Sequence, residues 1–261
     1  MKKDRLQSIL LPVLPGAVIL VLLQSGIIHK LLKIKILQLP KPMDILGALT
    51  ENISKIFSDA AVTMFPAVCG LILGALLGYG VALLVTALPN GGYGCLFIMT
   101  MINSVPIAAL APLMNRWFSG ALAAKLAVII IAASGAMAVN AFRGLNDLPK
   151  NVLELMRANA ASKLKIFTKL RIPNSLPSIF TALKIGVPAA MLATIIAEFF
   201  SGETAGLGYM IKYTLKVGNQ KQVGWAYIAA VSVFSVLLYE GICLAEHLLL
   251  KRYRGKHRIN K

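Results

Sequence analysis

The sequence predicts an all-helical integral membrane protein, on three observations. First, 57% of its 261 residues are hydrophobic and only 14% charged, and mean hydropathy is +0.75, a balance that a water-soluble globule does not carry. Second, six apolar runs, about 8–28, 62–88, 93–114, 122–142, 178–200 and 223–250, each match or exceed the ~20 residues that cross a bilayer as a helix. Third, the lysines and arginines lie mostly at the edges of those runs. The formal net charge of +17 comes with no aromatic-studded basic groove, so positive-inside topology and anionic lipid account for it, and nucleic acid is not an expected partner.

The first run follows Lys2, Lys3 and Arg5. A signal peptide is the rival reading. The run has the length of a span, and no small-x-small cleavage site follows before Lys30, so it is taken as the first span, with Pro12 and Pro15 kinking or shortening its start. From 29 to 60 the chain is mixed, and Ile45, Leu49, Ile53 and Ile56 recur at helical spacing, which predicts an amphipathic surface helix. The second span carries Gly70, Gly74 and Gly78 four apart, a small-residue face suited to close packing within the chain rather than a dimer seam. Pro89-Asn90-Gly91-Gly92 makes the turn into the third.

Asn103, Pro106 and Pro112 interrupt that third run. Such breaks are tolerated beside a buried, water-lined path, which makes Asn103 and Pro106 candidates for the translocation path. A merely kinked helix is the other reading. Trp117 and Arg116 suit an interfacial anchor. The fifth run contains Lys184, Pro188 and Glu198. An ionisable residue in a span is a functional suspect, but Lys184 lies near enough to the loop end to snorkel, and Glu198 lies about 21 Å further along a helix. Glu198 is the candidate for the path or its outer gate. Cys69, Cys95 and Cys243 have no ligand-like spacing and are expected as packed thiols. His29, His247 and His257 are scattered at span ends, and no Gly-x-x-x-x-Gly-Lys-Ser/Thr is present, so neither metal nor nucleotide chemistry is expected of the chain.

Between the fourth and fifth spans lies a polar loop, 143–177. Its core reads Glu154, then a small-residue break at Ala160, Ala161 and Ser162, then Lys163, Lys165, Lys169 and Arg171, closed by Pro173 and Pro177. Ser162 can cap a new helix, so the loop reads as helix, turn, helix. A solvated loop kept basic by topology is the plain alternative. With the N-terminus inside, six crossings place 16 Lys and Arg on the cytoplasmic side and 10 outside, which puts both termini and the loop in the cytoplasm.

The order of residues in this loop resembles the EAA loop of ABC importer permeases. That pattern is an acid with two alanines, a glycine four residues later, and a late apolar-Leu-Pro. Glu154 stands on the acid, Ala160 on the glycine, Ala161-Ser162 on the Ala-Ser that commonly follows, and Ile172-Pro173 on the closing pair. Leu155 and Met156 replace the two alanines. Alanine resists the positive φ that a glycine supplies, so Asn159, which tolerates it better, is expected to take over the turn. Further blocks are similar to the nitrate, sulfonate and taurine branch: Leu39-Pro-Lys-Pro42, Pro106 to Leu113 with Trp117-Phe118-Ser119-Gly120, and Ala197-Glu198 followed by Gly206-Leu-Gly-Tyr209.

The resemblance implies a type I importer permease (MetI-like) fold, with residues 1–261 as one transmembrane domain in a bacterial inner (plasma) membrane. It implies that Glu154, Leu155, Met156, Ala160, Ala161, Ser162 and Pro173 form a coupling loop seated in a groove of a separate ABC ATPase subunit. That subunit would hold the ATP and Mg, and the chain would bind no cofactor and catalyse nothing. The chain would work as a homodimer, and an extracytoplasmic binding protein would deliver the solute, a small anion such as sulfonate, taurine or nitrate. A vitamin or thiamine-precursor-like solute is the alternative. From other classes, an intramembrane enzyme lacks a His, Asp or Cys constellation in the spans, and a nucleotide-independent channel would differ in needing no ATP.

Overall fold

The computed structural model describes residues 14–36, 38–88, 92–217 and 220–257. The basic head with Pro12, the start of the first apolar run, the turn at Pro89-Asn90-Gly91 and the last tail residues lie outside these. Every regular element among the described residues is helical. By contact, the chain divides into two compact units, Met1–Asp59 with Met210–Ala230, and Ala60–Tyr209 with Val231–Lys261.

In the first unit, α1 (Leu14–Gln24) ends in a turn where Gly26 takes φ 78°, and α2 (Ile27–Leu32) follows. The apolar run 8–28 is therefore divided, because the left-handed turn at Gly26 stops the helix. The connection to α3 (Pro42–Glu51) contains Pro40, with Pro42 opening the helix, and the stretch is short of backbone donors. Side chains hold its carbonyls instead: His29 Nε2–H donates to Leu39 O at 2.6 Å, and Trp225 Nε1–H to Gln38 O at 3.2 Å. The amphipathic stretch expected over 45–56 is also divided. α3 stops at Asn52, whose amide bonds back to Ala48 O at 2.8 Å, and Ile53 and Ile56 belong to the long α4 (Ile53–Ala87).

The second unit is built around α7 (Ala121–Asn146). Its Ala124, Val128, Ile129, Ala132 and Ala133 share one core with Ala67 and Leu71 of α4, Ala111 and Met114 of α6 (Ile107–Trp117), and Val187, Ala190 and Met191 of α10 (Ile172–Phe200). Small residues dominate, as expected where van der Waals packing rather than expulsion from water holds helices together. The glycine stripe is part of it. A Cβ on Gly74 would lie 2.8 Å from both Ala133 Cβ and Ile130 O, and one on Gly70 2.7 Å from Ile129 Cβ. The stripe is thus an intramolecular seat for α7, as its spacing predicted.

Two of the expected spans are rearranged. The run 93–114 is two helices, α5 (Gly92–Asn103) and α6, bent by 96° at the Ser104-Val105-Pro106 break. A mere kink is excluded by that angle. Downstream, the fifth helix does not begin after Pro177. α8 (Lys150–Ala158) and a short turn lead into α9 (Lys163–Ile166), a π-helical turn Phe167–Arg171, and α10 without interruption. Pro173 lies in the first turn of α10, where its missing N–H and its ring crowding the carbonyl four residues back would break a regular helix. The preceding wide turn accommodates it.

Four described helices are long and apolar enough to cross a membrane, within Ile53–Ala87, Ala121–Asn146, Lys163–Phe200 and Lys221–Lys251, and the bent α5–α6 pair makes a fifth if it counts as one crossing. α11 (Leu207–Lys216) and α12 (Lys221–His257) complete the chain. The apolar side chains of α12, among them Val233, Leu237, Leu244 and Leu248, are largely exposed, as suits a helix facing hydrocarbon.

Candidate functional site

α8 buries none of its residues. It starts directly after its N-cap, Pro149, whose carbonyl accepts the Val152 and Leu153 N–H groups, and it ends in a Schellman motif. The Ala161 N–H bonds to Met156 O at 3.0 Å and the Ala160 N–H to Arg157 O at 2.9 Å, the paired 6→1 and 5→2 bonds that close a helix when the residue after its C-cap is left-handed. That residue is Ala160, at φ 49°. Asn159 stays at φ −85°, so the expectation that it takes over the turn is overturned. The two bonds outweigh the roughly 1–2 kcal/mol that a Cβ costs in this conformation. Ser162 then caps α9, its Oγ accepting the Lys165 N–H at 3.3 Å, as predicted.

The result is a knob carrying Glu154, Leu155, Met156, Ala160, Ala161 and Ser162 together. Pro173 stands apart, beyond the π-helical turn. On the knob, Leu155 is 63% and Leu164 72% exposed among Lys150, Arg157, Lys163 and Lys165. Large apolar side chains left bare among cations mark a contact surface.

Glu198, the candidate for the path or its outer gate, is enclosed by its neighbours. It is 1% exposed. Its carboxylate accepts the Thr63 hydroxyl at 2.9 Å and the Gly208 N–H at 2.7 Å, while Thr63 Oγ1 in turn accepts the Leu207 N–H at 2.8 Å. The buried Lys125 ammonium lies 3.9 Å away and pairs closely with Glu203. A Cβ on Gly206 or Gly208 would come within 2.8 Å of the same carboxylate. The Ala-Glu and Gly-Leu-Gly blocks are therefore two halves of one staple, in which glycine admits the acid and the acid satisfies the backbone beside it. Both carboxylate oxygens thus have partners within the chain.

Asn103 and Pro106 flank the α5–α6 break and are exposed. The Asn103 side chain packs where a Cβ on Gly135 would lie 2.6 Å from its Cγ, and α6 starts at Pro106 with no side-chain cap. Neither residue is among the hydrogen-bond or ion-pair partners of Glu198.

Three pairings escaped the sequence reading. Lys184 Nζ, expected to snorkel, bonds Glu246 Oε2 of α12 at 2.7 Å. Asp59 accepts the Tyr227 hydroxyl at 2.8 Å. Lys125 joins Glu203. For Lys184 and Glu246, an acid and a base in separate apolar runs were the available signal, since a charge within lipid needs a partner. The three cysteines are free thiols, Cys95 exposed rather than packed. Among the described residues no group of three or more His, Cys, Asp or Glu side chains is placed to hold a metal.

Residues 70–248 match the family described as "Binding-protein-dependent transport system inner membrane component". Over 213 residues, 81% of the chain and 84% of the relative, it is 28% identical to the formylaminopyrimidine transport permease ThiX of Halalkalibacterium halodurans. It is 26% identical over 215 residues, 82% of the chain and 77% of the relative, to SsuC of Bacillus subtilis, assigned to aliphatic sulfonate transport. To the nitrate import permease NrtB of Leptolyngbya laminosa it is 28% identical over 165 residues, 63% of the chain and 56% of the relative. The match covers more than half of an all-helical chain with several membrane-crossing helices, and the chain belongs to the inner-membrane permease subunits of binding-protein-dependent ABC importers, in their nitrate and sulfonate branch.

Proposed function

We propose that the knob formed by residues 150–166 is received by a groove of the ABC ATPase subunit, and that the chain, paired with a second copy, forms the path for a small solute handed over by an extracytoplasmic binding protein. The observation that carries this is the bare apolar surface of Leu155 and Leu164 on two short helices that bury nothing. Glu154 adds a carboxylate for a charge-assisted bond to a basic group of the partner. ATP and Mg are held by the partner, and its closure pushes the knob and tilts the spans between inward- and outward-open states. The chain is one six-crossing domain, in which α5–α6 count as one crossing and the run 8–28 as another. The basic excess places both termini and the loop 143–177 in the cytoplasm.

The solute is a small organic or inorganic anion such as nitrate, taurine or another sulfonate. Two features support this: relatives named for nitrate and for aliphatic sulfonates, and the uncapped start of α6 at a broken helix beside Asn103 and Pro106, a geometry that suits negative charge. A second reading, a thiamine-precursor-like solute, is favoured by the formylaminopyrimidine relative.

The test of the knob is Ala160→Arg. Arginine, unbranched at Cβ, bears about the same strain there as alanine, so the change mainly adds a long cation to the contact face. Burying that charge unpaired costs several kcal/mol, enough to lose most of the bound ATPase. Pull-down at matched membrane levels should show this loss, with exposed Lys169→Ala as a control that binds. Full binding and full ATP-driven uptake by Ala160→Arg would remove the knob as the coupling surface.

A further inference from the structure

The last turn of a helix leaves four backbone carbonyls without helical partners, and each needs a donor from elsewhere. In α7 all four are accounted for. Arg143 O accepts the Asp147 N–H at 2.7 Å, and Asn146 O the Leu148 N–H at 2.9 Å. The other two are reached from the far side of the coupling segment. Arg171 Nη1 donates to Leu145 O at 3.1 Å and to Asn146 Oδ1 at 2.6 Å. Asn174 Nδ2 donates to Gly144 O at 2.9 Å and to Asp147 O at 2.9 Å.

Two side chains at the start of α10 thus cap a helix that ended 25 to 30 residues earlier. The guanidinium also places a positive charge against the negative end of the α7 dipole, which strengthens the cap. The same junction is closely packed: a Cβ on Gly144 would lie 2.5 Å from Ser178 Oγ and 3.1 Å from Ser175 Cα. The segment from 147 to 170 therefore leaves and returns at a single fastened point.

We propose that Arg171 and Asn174 are positioning residues that clasp the base of the coupling segment, making the knob, the end of α7 and the start of α10 one mechanical body. Rested on a base free to open, the knob would swing at its own hinges, and a push on it would be spent in bending the 147–149 and 159–162 turns. With the base clasped, the push reaches α7, which packs against α4, α6 and α10, and so reaches the centre of the unit. This inference rests on the coupling reading proposed above.

The experiment uses the full permease assembled with its ATPase, with spin labels at Asn151→Cys on α8 and Ala123→Cys at the other end of α7. Both positions are exposed, the three native cysteines are replaced by serine, and the sites are separated by about 35 Å of α7 axis, a measurable span. The probe is MgATP alone, and no solute is needed. In the wild-type background MgATP leaves the distance distribution unchanged, because the two labels ride on one body. In the Arg171→Ala, Asn174→Ala double variant, matched for amount of assembled complex, MgATP shifts and broadens it. Binding of the ATPase stays at the wild-type level. Arg171→Lys, which keeps a cationic donor, restores much of the wild-type behaviour, a rescue that a simple loss of folding would not show.

A wild-type distance that moves with MgATP, or a double variant indistinguishable from wild type, overturns the clasp. Should the double variant fail to assemble, Asn174→Ala, which frees only the Gly144 and Asp147 carbonyls, is read by the same criteria. If the wild-type chain does not capture the ATPase at all, the coupling reading itself fails and the clasp falls with it. Capture with a clasp-independent distance removes the clasp alone.

Discussion

Gly74→Ala tests the packing on which the second unit depends. The new methyl carbon would sit 2.8 Å from Ala133 Cβ and 2.8 Å from Ile130 O of α7, where carbon atoms ordinarily approach to about 3.5–4.0 Å. The deficit is about 0.7–1.2 Å, and neither neighbour can rotate away, since one is a Cβ and the other backbone. α4 and α7 must part, loosening the core they share with α6 and α10. Overpacking of this kind costs about 1–3 kcal/mol, which corresponds to a fall of roughly 3–10 °C in the unfolding midpoint of a chain this size. Gly80→Ala is the control: no atom lies within 4 Å of its Cβ, and it isolates the helix-propensity gain of about 1 kcal/mol that any glycine-to-alanine change in a helix brings. Gly186→Ala is intermediate, because its one close neighbour is the flexible end of Leu71. Thermal unfolding in detergent, followed by fluorescence-detected size exclusion, should rank the variants Gly74, Gly186, Gly80 from least to most stable. If Gly74→Ala matches Gly80→Ala, the close approach of α4 and α7 is refuted.

Ala160→Gly removes the strain of a left-handed alanine and should stabilise the knob by about 1 kcal/mol. Amide exchange over 159–163 should slow while ATPase capture is retained, and faster exchange would contradict the φ of this turn. Glu198→Gln keeps the size of the side chain but weakens the grip on Gly208 and Lys125, at roughly 1–3 kcal/mol. The amount of complex extracted from membranes should therefore fall, whereas a normal amount with slowed uptake would place Glu198 in the path.

What the sequence determined by itself was whatever depends on neighbours a few residues away. Apolar run length and edge charge sufficed for the membrane class, because the bilayer reads hydrophobicity locally. Gly70, Gly74 and Gly78 announced a packing face by spacing alone, and Ser162 announced a cap because its partner, Lys165, is three residues on. Proline at 106 announced a break in the third run, though not its 96° angle. Only the tertiary structure decided the rest. Glu198 is a suspect as an isolated acid in a span, but it becomes a staple once Thr63, 135 residues away, and the Gly206–Gly208 backbone close around it. Lys184 has Glu246 62 residues on, and the end of α7 waits for Arg171 and Asn174. Ala160 goes left-handed against its own preference because two backbone bonds of the helix end depend on it. In each case the energy comes from a polar group finding its partner. Which partner it finds is set by how the helices pack, and no local pattern encodes that.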